Sequence, residues 1–248
     1  MAQKYENPEG RLPRTYENGQ DVSSDSRWWC SGFFPGTLWY LYENTQSPEV
    51  LNYARMYTDR VEREKYTTDN HDVGFMLYCS FGNGFRLTGD EHYREVLLTG
   101  AKSLATRYNP HIGLIRSWDH NKAIWQYPVI IDNIMNLELL LWAAKQSGDP
   151  VFRDISLSHA DKTMQYHYRP DYSSYHVVSY DTLTAQPHVR QTHQGYADES
   201  AWSRGQAWGL YGYTYLYRET NDKRYLEQAV NIAAFLLNHP NMPQDYIP

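Results

Sequence analysis

The chain has 248 residues and a formal net charge of −6, with 41% hydrophobic, 15% aromatic and 21% charged residues. Such aromatic content excludes a disordered chain, and the acidic balance argues against a nucleic-acid partner, which calls for a basic surface. Cys30 and Cys79 are the only cysteines, too few for a disulfide scaffold or a cysteine-rich metal site. No apolar run reaches the roughly 18–20 residues of a membrane span.

A repeated plan runs along the chain, read as a single domain over residues 1–248. Apolar helical stretches are expected over residues 33–42, 75–81, 134–144 and 207–216. Each leads into a short turn: Thr45-Gln46-Ser47-Pro48, Thr88-Gly89-Asp90-Glu91, Ser147-Gly148-Asp149-Pro150 and Thr220-Asn221-Asp222-Lys223. Glycine or asparagine closes the helix before the turn, and Asp or Ser caps the helix after it. Tyr93, Phe152 and Tyr225 stand at matching places early in the second helices, with a looser match at Leu51. Those second helices are amphipathic, as Val96, Leu97, Ala101 and Leu104 illustrate.

Apolar helices alternating with amphipathic ones point to an all-α fold, a toroid whose inner helices are buried all round. The spacing is uneven, so this is a hairpin array with variable loops. Strand signals are weak; residues 175–180 are the best candidate, as a hairpin within a long loop. The chain ends at Asp245-Tyr246-Ile247-Pro248, which reads as a loop. About four hairpins do not close such a ring, so the C-terminal part of the domain is expected to be missing.

Polar residues unusual for buried helices cluster near the starts of the inner ones. They are Trp28-Trp29-Cys30-Ser31-Gly32, His71-Asp72, Asp132-Asn133 with Asn136, and the run from Asp198 to Gln206. Asp132 lies between Val129-Ile130-Ile131 and Ile134-Met135. A carboxylate buried there has a raised pKa and suits proton transfer; the competing reading is a helix cap. Asp72, before Val73-Gly74-Phe75, admits the same two readings, and paired carboxylates are the usual equipment for glycoside hydrolysis. Arg204 and Trp208 share one helix face, as do Trp202 and Gln206. Arg suits a substrate carboxylate and Trp a sugar face, while a packed helix with a surface Arg is the plainer alternative. Gly205, Gly209 and Gly212 suggest close helix packing. The spacing of His176, His188 and His193 matches no standard metal motif, so a polar contact or an ordinary loop histidine is expected.

These residues resemble glycoside hydrolase family 88, the unsaturated glucuronyl hydrolases, from about Ser26 onward. The resemblance rests on Trp29-Cys30-Ser31-Gly32-Phe33-Phe34-Pro35-Gly36, His71-Asp72-Val73-Gly74-Phe75, Asp132-Asn133-Ile134-Met135-Asn136 and the run from Thr192 to Trp208. It implies an (α/α)6 barrel and hydrolysis of oligosaccharides that carry a 4,5-unsaturated uronic acid at the non-reducing end. Asp132 would protonate C4 and activate water for attack at C5, with Asp72 as the second catalytic carboxylate. Trp29, Trp202 and Trp208 would shape the sugar pocket, and His71, His176, His193, Gln194 and Arg204 would make polar contacts. Serines that hold the substrate carboxylate in the family come from a later segment that this sequence does not contain.

The resemblance implies no metal or organic cofactor; the acidic balance and the lack of a membrane-length apolar run argue against a nucleic-acid or membrane partner. A periplasmic or cytoplasmic bacterial location is expected by analogy, with no signal peptide visible. Two rivals are the related family 105, the unsaturated rhamnogalacturonyl hydrolases, and a non-catalytic sugar-binding toroid.

Overall fold

The computed structural model describes residues 1–6 and 10–243, so the loop expected over 245–248 lies outside the described residues. The chain forms two compact units, Met1–Thr68 with Asp72–Thr106, and Asp69–His71 with Arg107–Pro248.

The first unit opens with an antiparallel hairpin that the sequence reading missed, β1 (Leu12–Glu17) and β2 (Gln20–Ser24). Its turn is Asn18-Gly19 with φ of 50° and 80°, the left-handed pair that a two-residue hairpin turn requires. Helices α1 (Phe33–Thr45) and α2 (Pro48–Asp59) follow. Then α3 (Val73–Leu77) passes through a π turn, Tyr78–Gly82, into α4 (Asn83–Thr88), and α5 (Glu91–Ala105) packs back on it. Trp39, Tyr57, Met76, Leu77, Phe81 and Leu97 are fully buried, and the Trp39 indole donates to Thr58 Oγ1 at 2.9 Å.

In the second unit, short strands β3 (Tyr108–Asn109) and β4 (Leu114–Ile115) precede β5 (Pro128–Ile130). Helices α6 (Asn133–Ser147) and α7 (Pro150–Tyr166) come next, then β6 (Val177–Tyr180) and β7 (Pro187–Gln191), then α8 (Ser203–Thr220) and α9 (Lys223–Leu237). The expected hairpin is β6–β7, but β5 joins it in a three-stranded antiparallel sheet, order β5-β6-β7. The chain is mainly helical, as expected, with more strand than the sequence signals suggested, as small sheets in its connections.

Each expected turn joins two helices. Gln46, Gly89, Gly148 and Asn221 end the first helix in the left-handed conformation. Ser47, Asp90, Asp149 and Asp222 then cap the second, each side chain accepting a backbone N–H. Gln46 stands where glycine or asparagine was expected.

Burial all round describes α6, where Leu137, Leu139, Leu140 and Leu141 are all inside. It does not describe α1 or α8, which leave Tyr40 and Leu41, and Tyr211, exposed. Among the described residues α1 packs chiefly on α2, α4 and the π turn, and α8 on α6 and α9. Close approach of α6 and α8 depends on Gly212, where a Cβ would fall 2.7 Å from Ile134 Cγ1 and Cγ2. Among the described residues no helix is long and apolar enough to cross a membrane.

Candidate active site

The second unit gathers most of the expected residues around Asp132. This residue comes two positions after the end of β5 and stands at the N-cap of α6, yet its side chain makes no capping hydrogen bond. Its own backbone is already helical, at φ −55° and ψ −28°, unlike the extended backbone of the capping Asp149 and Asp222. The side chain is free of that structural duty and is nonetheless buried, at 7% exposure. Burial pushes its pKa up to about 6, while its own backbone N–H, the Arg204 charge and the Trp208 indole N–H restrain the rise. Oδ2 is buried without a hydrogen bond and lies 3.8 Å from His176 Nε2.

Sheet pairing brings His176 there. It stands just before β6, and its carbonyl accepts the Ile131 N–H at 3.1 Å, extending the β5–β6 ladder to the residue beside Asp132. His176 Nδ1 accepts the backbone N–H groups of His193 at 2.9 Å and Gln194 at 3.1 Å. A nitrogen that accepts two N–H bonds cannot carry a proton, so the neutral ring holds its hydrogen on Nε2, towards Asp132. Burial lowers the His176 pKa to about 3, with the His193 and Arg204 charges acting in the same sense. The Trp202 ring lies 4.4 Å from the imidazole, centroid to centroid.

At the start of α8, the Arg204 guanidinium donates to Gln194 Oε1 and sits 4.5 Å from the centroid of the Trp202 ring. His193, Gln194 and Arg204 are exposed, and Trp202 and Trp208 half-buried. His71 is 2% exposed and deeper. Its N–H donates to the Ser117 carbonyl at 3.1 Å, its Nδ1 lies 3.3 Å from Ser117 Oγ, and Asn133 hydrogen-bonds it. Burial, chiefly, lowers its pKa to about 3. His188 bonds Ser179 Oγ at 3.0 Å across β6 and β7. Among the described residues no cluster of His, Cys, Asp and Glu could hold a metal ion.

Trp29 and Asp72 belong to the first unit. Trp29 packs edge-on against Phe33 at 5.6 Å and Phe75 at 5.5 Å, which sets it beside the start of α3. Asp72 stands at the N-cap of α3 and, like Asp132, makes no side-chain capping bond. Every amphipathic second helix is capped by a side chain, whereas none of α1, α3, α6 and α8 is.

Sequence reading missed an aromatic group around His193. Trp118 stacks on His120 at 5.1 Å, and His193 lies 5.6 Å from Trp118 and 5.5 Å from Trp125. Trp125 Nε1 donates to Gln191 Oε1 at 3.0 Å, tying this group to the end of β7. The available signal was two tryptophans in a segment without helical period.

The model of Glycosyl Hydrolase Family 88 matches residues 6–219. The chain belongs to this family. Among its family 88 relatives, the unsaturated glucuronyl hydrolase of Formosa agariphila is 46% identical over 224 residues, 90% of this chain and 56% of that protein. The unsaturated chondroitin disaccharide hydrolase of Streptococcus pneumoniae is 34% identical over 239 residues, 95% of this chain and 59% of that protein. The crystal structure of an unsaturated glucuronyl hydrolase specific for heparin superposes with a TM-score of 0.95 at 51% identity, covering 100% of this chain and 66% of the other. The chain thus spans under two thirds of the length of these relatives.

Proposed function

We propose that the protein releases the 4,5-unsaturated uronic acid from the non-reducing end of lyase-generated oligosaccharides, by hydration of the vinyl ether. The observation that carries this is Asp132: a buried, non-capping carboxyl with a pKa raised to about 6, its Oδ2 3.8 Å from Nε2 of the buried His176. A carboxyl near that pKa holds its proton in mildly acid solution and can give it to a carbon and take another from water. Asp132 protonates C4, and the positive charge that develops at C5 and the ring oxygen is quenched by water, deprotonated by the same carboxylate. The resulting hemiketal opens and releases the neighbouring sugar.

Arg204 meets the substrate carboxylate, a role supported by its exposure and by Gln194, which holds the guanidinium. Trp202 and Trp208 offer ring faces to the sugar, with His193 and Gln194 at the rim. His176 orients Asp132, and His71 supports the wall through Ser117 and Asn133. Trp29 and Asp72 are assigned on the family motifs that contain them, with Asp72 as the second carboxylate. The same reading takes the hairpins as part of an (α/α)6 toroid, supported by the repetition of paired helices along the chain.

The test is a panel of unsaturated disaccharides, heparin-derived and chondroitin-derived among them, incubated in deuterium oxide. The expected result is loss of the ultraviolet absorbance of the double bond and deuterium at C4 of the released uronate. Binding without turnover would support the sugar-binding alternative. Release of a uronate that keeps its double bond would point to displacement at the anomeric carbon.

Trp208→Phe isolates one contribution. The ring face remains, but the N–H that restrains the Asp132 pKa is lost. The acid form of Asp132 then persists to higher pH, so the alkaline limb of kcat/KM moves upward from about pH 6. An unmoved limb would remove Trp208 from the proton chemistry.

A further inference from the structure

Residues 193–198 form a loop whose side chains are mostly exposed, so apolar burial contributes little to its shape. Its conformation rests on polar anchors. The Asp198 carboxylate accepts the Thr192 N–H at 2.8 Å, and Thr192 Oγ1 accepts the Gly195 N–H at 2.7 Å. Between them, His193 and Gln194 turn their N–H groups to His176 Nδ1.

The anchor at the far end is Arg169, a residue no sequence motif drew attention to. Its side chain is 13% exposed, and its Cζ lies 3.8 Å from the centroid of the Tyr175 ring. One guanidinium nitrogen donates to Ser173 Oγ and to the Ser174 carbonyl, each at 3.2 Å. The other donates to the Asp198 carbonyl at 2.8 Å, with the Glu199 carboxylate 3.7 Å away. The turn that carries Arg169 is itself held by α8: Gln206 accepts the Ser174 N–H at 2.6 Å and donates to the Tyr172 carbonyl at 2.9 Å. A continuous hydrogen-bonded path therefore runs from the helix of Arg204 and Trp208, through Arg169, to the loop that presents His193 and Gln194. A flat guanidinium can stack on Tyr175 while its two arms reach two chain segments; an ammonium cannot.

We propose that Arg169 is a positioning residue that holds the 192–198 loop, and thereby sets the orientation of Gln194 and the tautomer of His176. This rests on the hydration reading above. Without the anchor, the two N–H donors no longer occupy His176 Nδ1, and that nitrogen becomes free to take a proton. Groups facing or coupled to His176 are Asp132 from α6, Arg204 from α8, His193 from the loop, and the buried His71 and His167. Burial keeps the ring neutral, so the proton that Nδ1 takes is the one Nε2 gives up, and the side of the imidazole towards Asp132 loses its hydrogen in part of the population.

Arg169→Ala and Arg169→Lys in the full protein test this. Amide hydrogen exchange at Thr192, His193, Gln194 and Gly195 should speed up about tenfold or more in both variants, as loss of a charged donor to a carbonyl implies. KM should rise, less in Lys than in Ala because the charge remains. The imidazole nitrogen resonances of His176, recorded without substrate, should change from a single Nε2–H tautomer to a mixture. Unchanged exchange in the loop, or an unmoved His176 tautomer, overturns the proposal. Exchange and tautomer need no turnover, so they stand even if the parent fails to hydrate an unsaturated uronide, an outcome that would sink the activity reading alone. If Arg169→Ala does not fold, Arg169→Lys is read by the same criteria.

Discussion

Asp132→Asn is expected to lose turnover by at least about 10²–10⁴-fold, the usual worth of general acid–base assistance, while becoming more stable than the parent above pH 6. Both effects have one cause. The carboxyl has its pKa raised from 3.8 to about 6 by burial. Below pH 3.8 the folded and unfolded chains both carry the proton, and stability contains no penalty from this group. Between 3.8 and about 6 the unfolded chain releases its proton and the folded chain keeps it, so stability falls as pH rises. Above about 6 the folded state holds a buried carboxylate, at a cost of about 3 kcal/mol from the gap between the two pKa values. An amide cannot ionise and escapes that cost. Melting temperatures measured from pH 4 to pH 8 should therefore coincide at the acid end and diverge in favour of Asn at the other. Substrate affinity should survive, since Arg204, Trp29, Trp202 and Trp208 are untouched. Near-normal turnover, or a stability gain independent of pH, would remove Asp132 from the role given to it.

Gly212→Val should weaken the fold by roughly 2–3 kcal/mol and raise KM together with it. The Cβ meets Ile134 Cγ1 and Cγ2 at 2.7 Å, and Cβ of the same residue at 3.2 Å. Those atoms lie near the base of a β-branched side chain and cannot swing clear, so α8 must move off α6. Asp132 rides at the head of α6, and Arg204 with Trp208 on the first turns of α8, so the displacement reaches the site. Gly212→Ala should cost less, because about 1 kcal/mol of helix propensity is regained. Urea unfolding with kinetics on each variant measures both effects. A parent-like midpoint for Val would mean that the two helices have room to spare.

The turns between paired helices were readable from sequence because their causes are local. A left-handed residue followed by a capping Ser or Asp needs only its nearest neighbours, and Gly89-Asp90, Gly148-Asp149 and Asn221-Asp222 all behave so. The strand β6 was legible as a β-branched run, and the family motifs singled out the residues that gather around Asp132. The Asn18-Gly19 hairpin is equally local, a two-residue turn signal that lies outside the helical pattern.

Other features depended on partners distant in the chain. β5 is three residues long and becomes a strand only because β6, more than forty residues later, pairs with it. An Asp before an apolar helix is compatible with capping or chemistry, and composition cannot separate them. The helical backbone of Asp132 and its missing cap bond set the capping reading aside, and neither can be read from the residue type. The same holds for the His176 tautomer. An isolated imidazole exchanges its proton between two nitrogens, and this one is fixed because a loop seventeen residues away brings two N–H donors to the same atom. Residue types and short-range order are written in local chemistry. Protonation, orientation and burial belong to groups that meet only when the chain has folded, because desolvation and hydrogen bonding act across space and not along the sequence.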